Sequence, residues 1–327
     1  MTESLSAADL ENGQIIRLPV GNEPGYWAGA PGVCYDSNER AWYLTYRIRR
    51  PRGVAPDRGG EARIARSTDW QNWKDVWSIT KDLLDSASIE RCALRRGSDG
   101  LWRYFVSYVD SADGRWCVSV LKADEVQKLS ATNVEPVFKA KTFGLEGIKD
   151  PWIMEERGTF YMLLSVALPT AATNAASHTS LDIFNTGECL SATAMAQSRD
   201  LDCWEWAGVV FAPDSSGWDR YCRRINSVIP KDGRFYAFYD GSASAAENYE
   251  ERTGWAVSAD LRQWQSLTPD APLLTSPHAS GSLRYVDVQA SGEKLGLFYE
   301  FARPDGAHDL RLAVVSPEQI LTTDEHG

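Results

Sequence analysis

No run of apolar residues in this 327-residue sequence is long enough to cross a bilayer, and the opening Met1-Thr2-Glu3-Ser4-Leu5-Ser6 lacks both the basic start and the apolar core of a secretory signal. A cytoplasmic protein is the expectation, or a secreted one if a signal has been trimmed. Basic residues are too few for a nucleic-acid binder: 34 Lys and Arg stand against 45 Asp and Glu, a formal net charge of −11 that also disfavours an anionic membrane surface. The six cysteines (Cys34, Cys92, Cys117, Cys189, Cys203, Cys222) show no C-x-x-C spacing, which predicts reduced, packed thiols instead of disulfides or a zinc site. The four histidines (His178, His278, His308, His326) lack metal-ligand spacing, and no P-loop or dinucleotide fingerprint occurs, so no metal and no cofactor are expected. What remains as partner is a small molecule or oligosaccharide. Helical periodicity is confined to short stretches such as Asp124 to Leu129.

Strand patterns are abundant, and they repeat. "ERAWYLTYRIR" from Glu39, "DGLWRYFVSYVD" from Asp99, "RGTFYMLLSVA" from Arg157, "DGRFYAFYDGS" from Asp232 and "GEKLGLFYEFA" from Gly292 each open with a turn and close on a strand. Between them recurs a strand ending in Ser, a turn and a closing Trp: "ARSTDWQNW" to Trp73, "AQSRDLDCW" to Trp204 and "AVSADLRQW" to Trp264, with degenerate copies from Val118 and Leu310. Packing between neighbouring sheets is the simplest reading of those tryptophans. Five units with room for four short antiparallel strands each predict an all-β, five-bladed β-propeller in one domain over 1–327, with blades roughly at 21–80, 81–140, 141–212, 213–270 and 271–320. Ring closure needs a strand from one terminus to complete the other's blade, and Gln14 to Val20 is the candidate. Two β-sandwich domains are the alternative, but they leave the shared order of elements unexplained.

In a propeller the first strand of each blade lines the axis, so the residues that open those strands converge. Aligning the units places Ala30, Glu90, Asp150, Arg224 and Arg284 at roughly equivalent positions. In "GIKDPWIMEERGTFYMLLS", from Gly147 to Ser165, a carboxylate locked against Pro151 thus stands at the mouth of two buried strands. The segment Lys149-Asp150-Pro151-Trp152, the five-unit pattern and the S-x-D-L-x-x-W turns resemble the five-bladed propeller glycoside hydrolases, the broad group of arabinanases, β-xylosidases and invertase-like enzymes. That resemblance implies chemistry on a glycosidic bond in the axial pocket, and it implies for Asp150 the role of orienting the general acid. Such enzymes usually carry an aspartate base in the first blade, where this chain has Ala30-Pro31. They carry a glutamate acid in the fourth, where it has Arg223-Arg224-Ile225.

Glycoside hydrolysis normally needs two carboxyl groups flanking the scissile bond. Glu90 is the other axial carboxylate, so Glu90 and Asp150 are the expected acid/base pair, unless they pair with Arg224 and Arg284 to close the axis. As ligand anchors, those two arginines offer planar forks suited to an anionic group or adjacent hydroxyls. Trp27, Trp152, Asp219, Tyr221 and Tyr285 are candidate ligand contacts, and Asp240 and Glu251 are reserve candidates for the missing base. The long, polar stretch from Pro169 to Glu188 is a candidate lid with His178 as its contact. A sugar-binding propeller without turnover, and a non-hydrolytic acid/base enzyme acting on a small metabolite, are the rival functions.

Overall fold

The computed structural model describes residues 5–321. After strand β1 (Gln14–Arg17) come four antiparallel meanders. Blade 1 holds β2 (Trp27–Asp36), β3 (Ala41–Arg50), β4 (Arg58–Ser67) and β5 (Lys74–Thr80). Blade 2 holds β6 (Ala93–Arg96), β7 (Trp102–Val109), β8 (Trp116–Ala123) and β9 (Glu135–Lys139). Blade 3 holds β10 (Gly147–Glu156), β11 (Thr159–Pro169), β12 (Cys189–Ser198) and β13 (Trp204–Phe211). Blade 4 holds β14 (Cys222–Lys231), β15 (Arg234–Ser242), β16 (Arg252–Ser258) and β17 (Trp264–Ser266). The last unit, β18 (Leu283–Ser291), β19 (Lys294–Ala302) and β20 (His308–Val315), takes β1 as its fourth strand, with Gln14 opposite Leu312. The inner strands β2, β6, β10, β14 and β18 touch in a closed ring, so the all-β propeller expected from the repeats is the observed architecture.

A blade stacked between two others is buried on both faces, which is why its strands read as continuous apolar runs instead of alternating. In β3, Trp42, Leu44, Tyr46 and Ile48 face the core shared with the last blade, while Ala41 and Tyr43 face blade 2. Five apolar cores result, one between each pair of neighbouring blades.

The Trp-closed turns are built alike in three blades. The Ser Oγ bonds the Asp carboxylate at 3.0 Å (Ser67–Asp69), 3.0 Å (Ser198–Asp200) and 3.2 Å (Ser258–Asp260). That carboxylate also accepts the N–H groups two and three residues on. Trp70, Leu201 and Leu261 then take positive φ of 64°, 66° and 65°, which aims each carbonyl at the closing indole: Trp73, Trp204 and Trp264 donate to them at 2.6, 3.1 and 3.0 Å. Each indole packs on the core shared with the preceding blade.

Two local expectations need correction. Five cysteines are buried and all six are free, but Cys203 is exposed, because the tight turn of blade 3 turns it outward. Asp124 to Leu129 forms only a 3-10 turn at Val126–Lys128, too short to hold a helix between two strands.

Candidate active site

The pairing register corrects the axial alignment by one residue. Gly29, Lys149, Arg224 and Arg284 stand opposite Arg47, Ser165, Asp240 and Glu300 on the second strands, and the Glu90 N–H bonds Ser107 O. One ring is therefore Gly29, Glu90, Lys149, Arg224 and Arg284; the next is Ala30, Arg91, Asp150, Ile225 and Tyr285. The cause is a bulge in the inner strands, where Ala30, Asp150 and Tyr285 take φ of 53°, 56° and 55°. A side chain in that left-handed region costs about 1–3 kcal/mol, and its recurrence in three blades marks it as architecture.

Each bulge N–H needs an acceptor, and the preceding blade supplies one. Asp150 N–H bonds Ser107 Oγ at 3.2 Å, Tyr285 N–H bonds Asp240 Oδ1 at 3.0 Å and Ala30 N–H bonds Glu300 Oε2 at 3.1 Å. Glycine is required at 29 because a Cβ there would lie 2.0 Å from Glu300 Oε2. Deeper on the axis, Arg91 joins every blade to its own. Its Nε donates to Pro31 O at 2.7 Å, Nη1 to Asn226 O at 2.8 Å, Nη2 to Asp287 at 3.1 Å and its N–H to Asp150 Oδ1 at 3.2 Å.

Glu90 and Asp150 lie on the axis, buried, but neither pairs with Arg224 or Arg284. Arg47 Nε holds Glu90 at 2.6 Å and Arg49 approaches at 3.5 Å; burial alone would raise its pKa, but Arg47, Lys149 and Arg49 outweigh burial and hold it down at about 2. Asp150 has Lys149 Nζ at 3.4 Å and Tyr285 OH at 3.4 Å. Arg224 is committed to Ser191, Glu251 and Asn248, at 2.6, 2.9 and 2.6 Å. Arg284 binds Glu251 at 2.7 Å and Glu300 at 2.6 Å. Glu251 bridges both arginines and is held at about 2. Burial and the Glu251 charge push Asp240 the other way, up to about 8.

Of the other candidates, Trp27 and Tyr285 belong to this cluster: Trp27 stacks on His308 at 4.9 Å, and the Arg284 guanidinium lies 4.7 Å from its ring. Trp152 is a core residue whose Nε1 donates to Asp287 at 3.4 Å. Asp219 binds Arg223 through both oxygens, at 2.8 and 3.0 Å, and takes no axial position. Tyr221 OH holds the carbonyl of Phe184, at 2.8 Å. The Pro169 to Glu188 segment covers the axis through Phe184, whose ring is 4.7 Å from Lys149 Nζ and 5.1 Å from the Arg224 guanidinium. Its hold is a small core of Val109, Trp116, Ala167, Ile183 and Cys189, and Asp182 sits 3.4 Å from Arg58. His178 faces away, bonded to Glu146 at 2.6 Å.

Arg47, Arg49, Arg91, Lys149 and Glu300 were not among the expected site residues. One signal was present: in Tyr46-Arg47-Ile48-Arg49, arginines alternate with apolar residues on a strand buried on both faces. A cleft of about 500 Å³ between turns of blades 3 and 4, lined by Arg157, Tyr161, Arg199 and Arg234, contains none of the axial groups.

No family model matches the chain, and no curated protein does. Solved structures do. A thermostable family-43 glycoside hydrolase superposes with a TM-score of 0.62 at 14% identity, over 88% of this chain and 89% of that one. The fold is that of the propeller glycoside hydrolases. An endo-arabinase from Bacteroides thetaiotaomicron covers 93% of this propeller and 97% of its own chain (TM-score 0.58, 14% identity). A β-1,2-mannobiose phosphorylase from Listeria innocua covers 95% of the propeller and 97% of its own chain (TM-score 0.61, 14% identity).

Proposed function

We propose that this propeller is a carbohydrate-active enzyme acting on a glycosidic bond at its axis, with Asp240 as proton donor, Glu90 as the ionised carboxylate opposite it and Asp150 as the group between. The observation that carries this reading is the identity of the bulge acceptors. In blade 2 a neutral Ser107 satisfies the bulge N–H; in blade 4 the same joint has a buried carboxyl, which burial and Glu251 keep protonated at neutral pH. A carboxyl there exceeds what the joint requires. With Asp240 raised and Glu90 held down, the two carboxyls have the split in proton affinity that acid/base catalysis by two carboxyls uses. Tyr285 links the centres, with its N–H on Asp240 and its OH toward Asp150. Solved structures of the same fold named as glycoside hydrolases and as a mannobiose phosphorylase support a sugar substrate.

A panel of aryl glycosides tests this with the wild type and Asp240→Ser, which copies the joint of blade 2. Turnover should fall about a hundredfold to ten-thousandfold while the unfolding midpoint holds. Unchanged turnover removes Asp240 from the mechanism. Sugar binding without any turnover by the wild type identifies a binding propeller instead.

A further inference from the structure

Beside the paired charges stands a set of buried donors with no acceptor. Among the described residues, Trp27 Nε1, both terminal nitrogens of Arg47, Arg49 Nε, Arg58 Nε and Lys149 Nζ make no hydrogen bond. Two near approaches exist: Arg47 Nη2 is 3.6 Å from Glu300, and Lys149 Nζ is 3.4 Å from Asp150. Leaving one such group unsatisfied costs about 1–3 kcal/mol, more when it is charged, so several together are not a packing accident.

Those of Trp27, Arg47, Arg49 and Lys149 surround one place. The Arg47 and Arg49 guanidinium groups lie 5.6 and 4.6 Å from the Trp27 ring. Arg49 and Lys149 lie 4.8 and 5.8 Å from the Tyr249 ring, and the two rings are 6.0 Å apart. The charge is uneven as well. Arg58 is matched by Asp182, Arg91 by Asp287 and His308 by Glu250. Of what remains, Arg47, Arg49, Lys149, Arg224 and Arg284 face the carboxylates Glu90, Asp150, Glu251 and Glu300. One basic side chain is left over when Asp240 is protonated.

We propose that the cage of Trp27, Arg47, Arg49 and Lys149 binds an oxyanion, so that the ligand of the axial site carries, or arrives with, one negatively charged acceptor group. A carboxylate borne by a sugar and a free tetrahedral oxyanion share this chemistry: each brings several lone pairs to planar guanidinium and indole donors, and each cancels the surplus charge. Neutral hydroxyls meet the donors but not the charge. The inference rests on the axial site being the ligand site, and not on catalysis there. Arg224 and Arg284, expected as anchors, brace the cage through Glu251 and Glu300.

Calorimetric titration of the full-length protein with D-glucuronate, D-glucose and inorganic phosphate tests it. D-glucuronate should bind at least about tenfold more tightly than D-glucose if the anion is part of the sugar; phosphate should bind if it is separate. Arg49→Met removes a guanidinium whose Nε has no acceptor, and Trp27→Phe removes only the indole donor while keeping the ring. Each should weaken the anion about 10- to 100-fold, well beyond its effect on D-glucose. Should Arg49→Met fail to fold, Trp27→Phe alone decides. The proposal is overturned if neither anion binds better than D-glucose, or if anion binding ignores the substitutions. Because titration reads binding alone, its failure is separate from any failure of glycoside turnover.

Discussion

The Trp-closed turns at the rim and the charged rings at the axis are opposite solutions to placing polar groups in a propeller. At the rim the same serine, aspartate and closing indole recur in three blades, each of those serine hydroxyls and closing indoles has its acceptor, and the distances agree within about half an ångström. At the axis five equivalent positions hold five different environments, Arg47, Arg49 and Lys149 lack full partnering, and carboxyls stand where serine suffices. Repetition with complete satisfaction marks what the ring needs to close. Departure from the repeat with donors to spare marks what the ring was closed around.

Turnover provides the largest test of that contrast. Asp150→Asn keeps the shape of an axial group and should lower turnover on a confirmed glycoside by about a hundredfold to ten-thousandfold, with the fold intact by circular dichroism. Equal loss from Asp200→Asn, at the rim, would erase the distinction.

Next in size is the deep arginine. Arg91→Met leaves Asp287 without its cation in the core and frees carbonyls of two other blades, so urea unfolding should show a loss of about 3–5 kcal/mol. A loss under about 1 kcal/mol would mean that the apolar cores alone hold the ring.

The response to pH separates the regions by sign. Asp240 is raised to about 8, so the folded chain holds that proton more tightly than the unfolded one, and this group's contribution falls as pH climbs from about 4 to about 8. Asp200 is lowered to about 2 by the backbone N–H groups of Cys203 and Asp202, so its contribution is present above about pH 4 and lost toward pH 2. Urea midpoints at about pH 5 and pH 9 should therefore draw together in Asp240→Asn and stay apart in Asp200→Asn. Turnover should also decline above about pH 8, as the proton donor ionises.

The smallest effect is the sharpest test of repetition. Ser198→Ala and Ser258→Ala each remove one turn hydroxyl and should each cost about 1 kcal/mol. A difference larger than the cost itself would show that the turns only look alike.

The rim was legible in the sequence because its chemistry is local: Ser, Asp and Trp lie within seven residues, and their spacing is the structure. The blades were legible because burial on both faces writes runs rich in apolar and aromatic residues, such as Ala41 to Tyr46. Axial residues were legible one at a time. "KDPW" pointed to Asp150, but the left-handed bulge at that residue moved the equivalences by one, and no local pattern reports a bulge. Arg47, Arg91 and Glu300 escaped notice because they have partners 43, 196 and 270 residues away, in Glu90, Asp287 and Ala30. Asp219 was misleading for the converse reason: its partner Arg223 is four residues on, a local clamp beside a distant site.

The strand Gln14–Arg17 has a consequence in time. It leaves the ribosome nearly 300 residues before its partner around Leu310. At about 5–20 residues per second, roughly 15 to 60 seconds separate the two, and for that interval the first strand has an unsatisfied edge and the ring has a gap. Blades 1 to 4 hold all their strands well before then, so they can mature in order of synthesis while the axis stays open along one side. The charged rings, which need every inner strand, assemble only when the last blade arrives. The pairing that closes the propeller is therefore also the one that completes its axial rings.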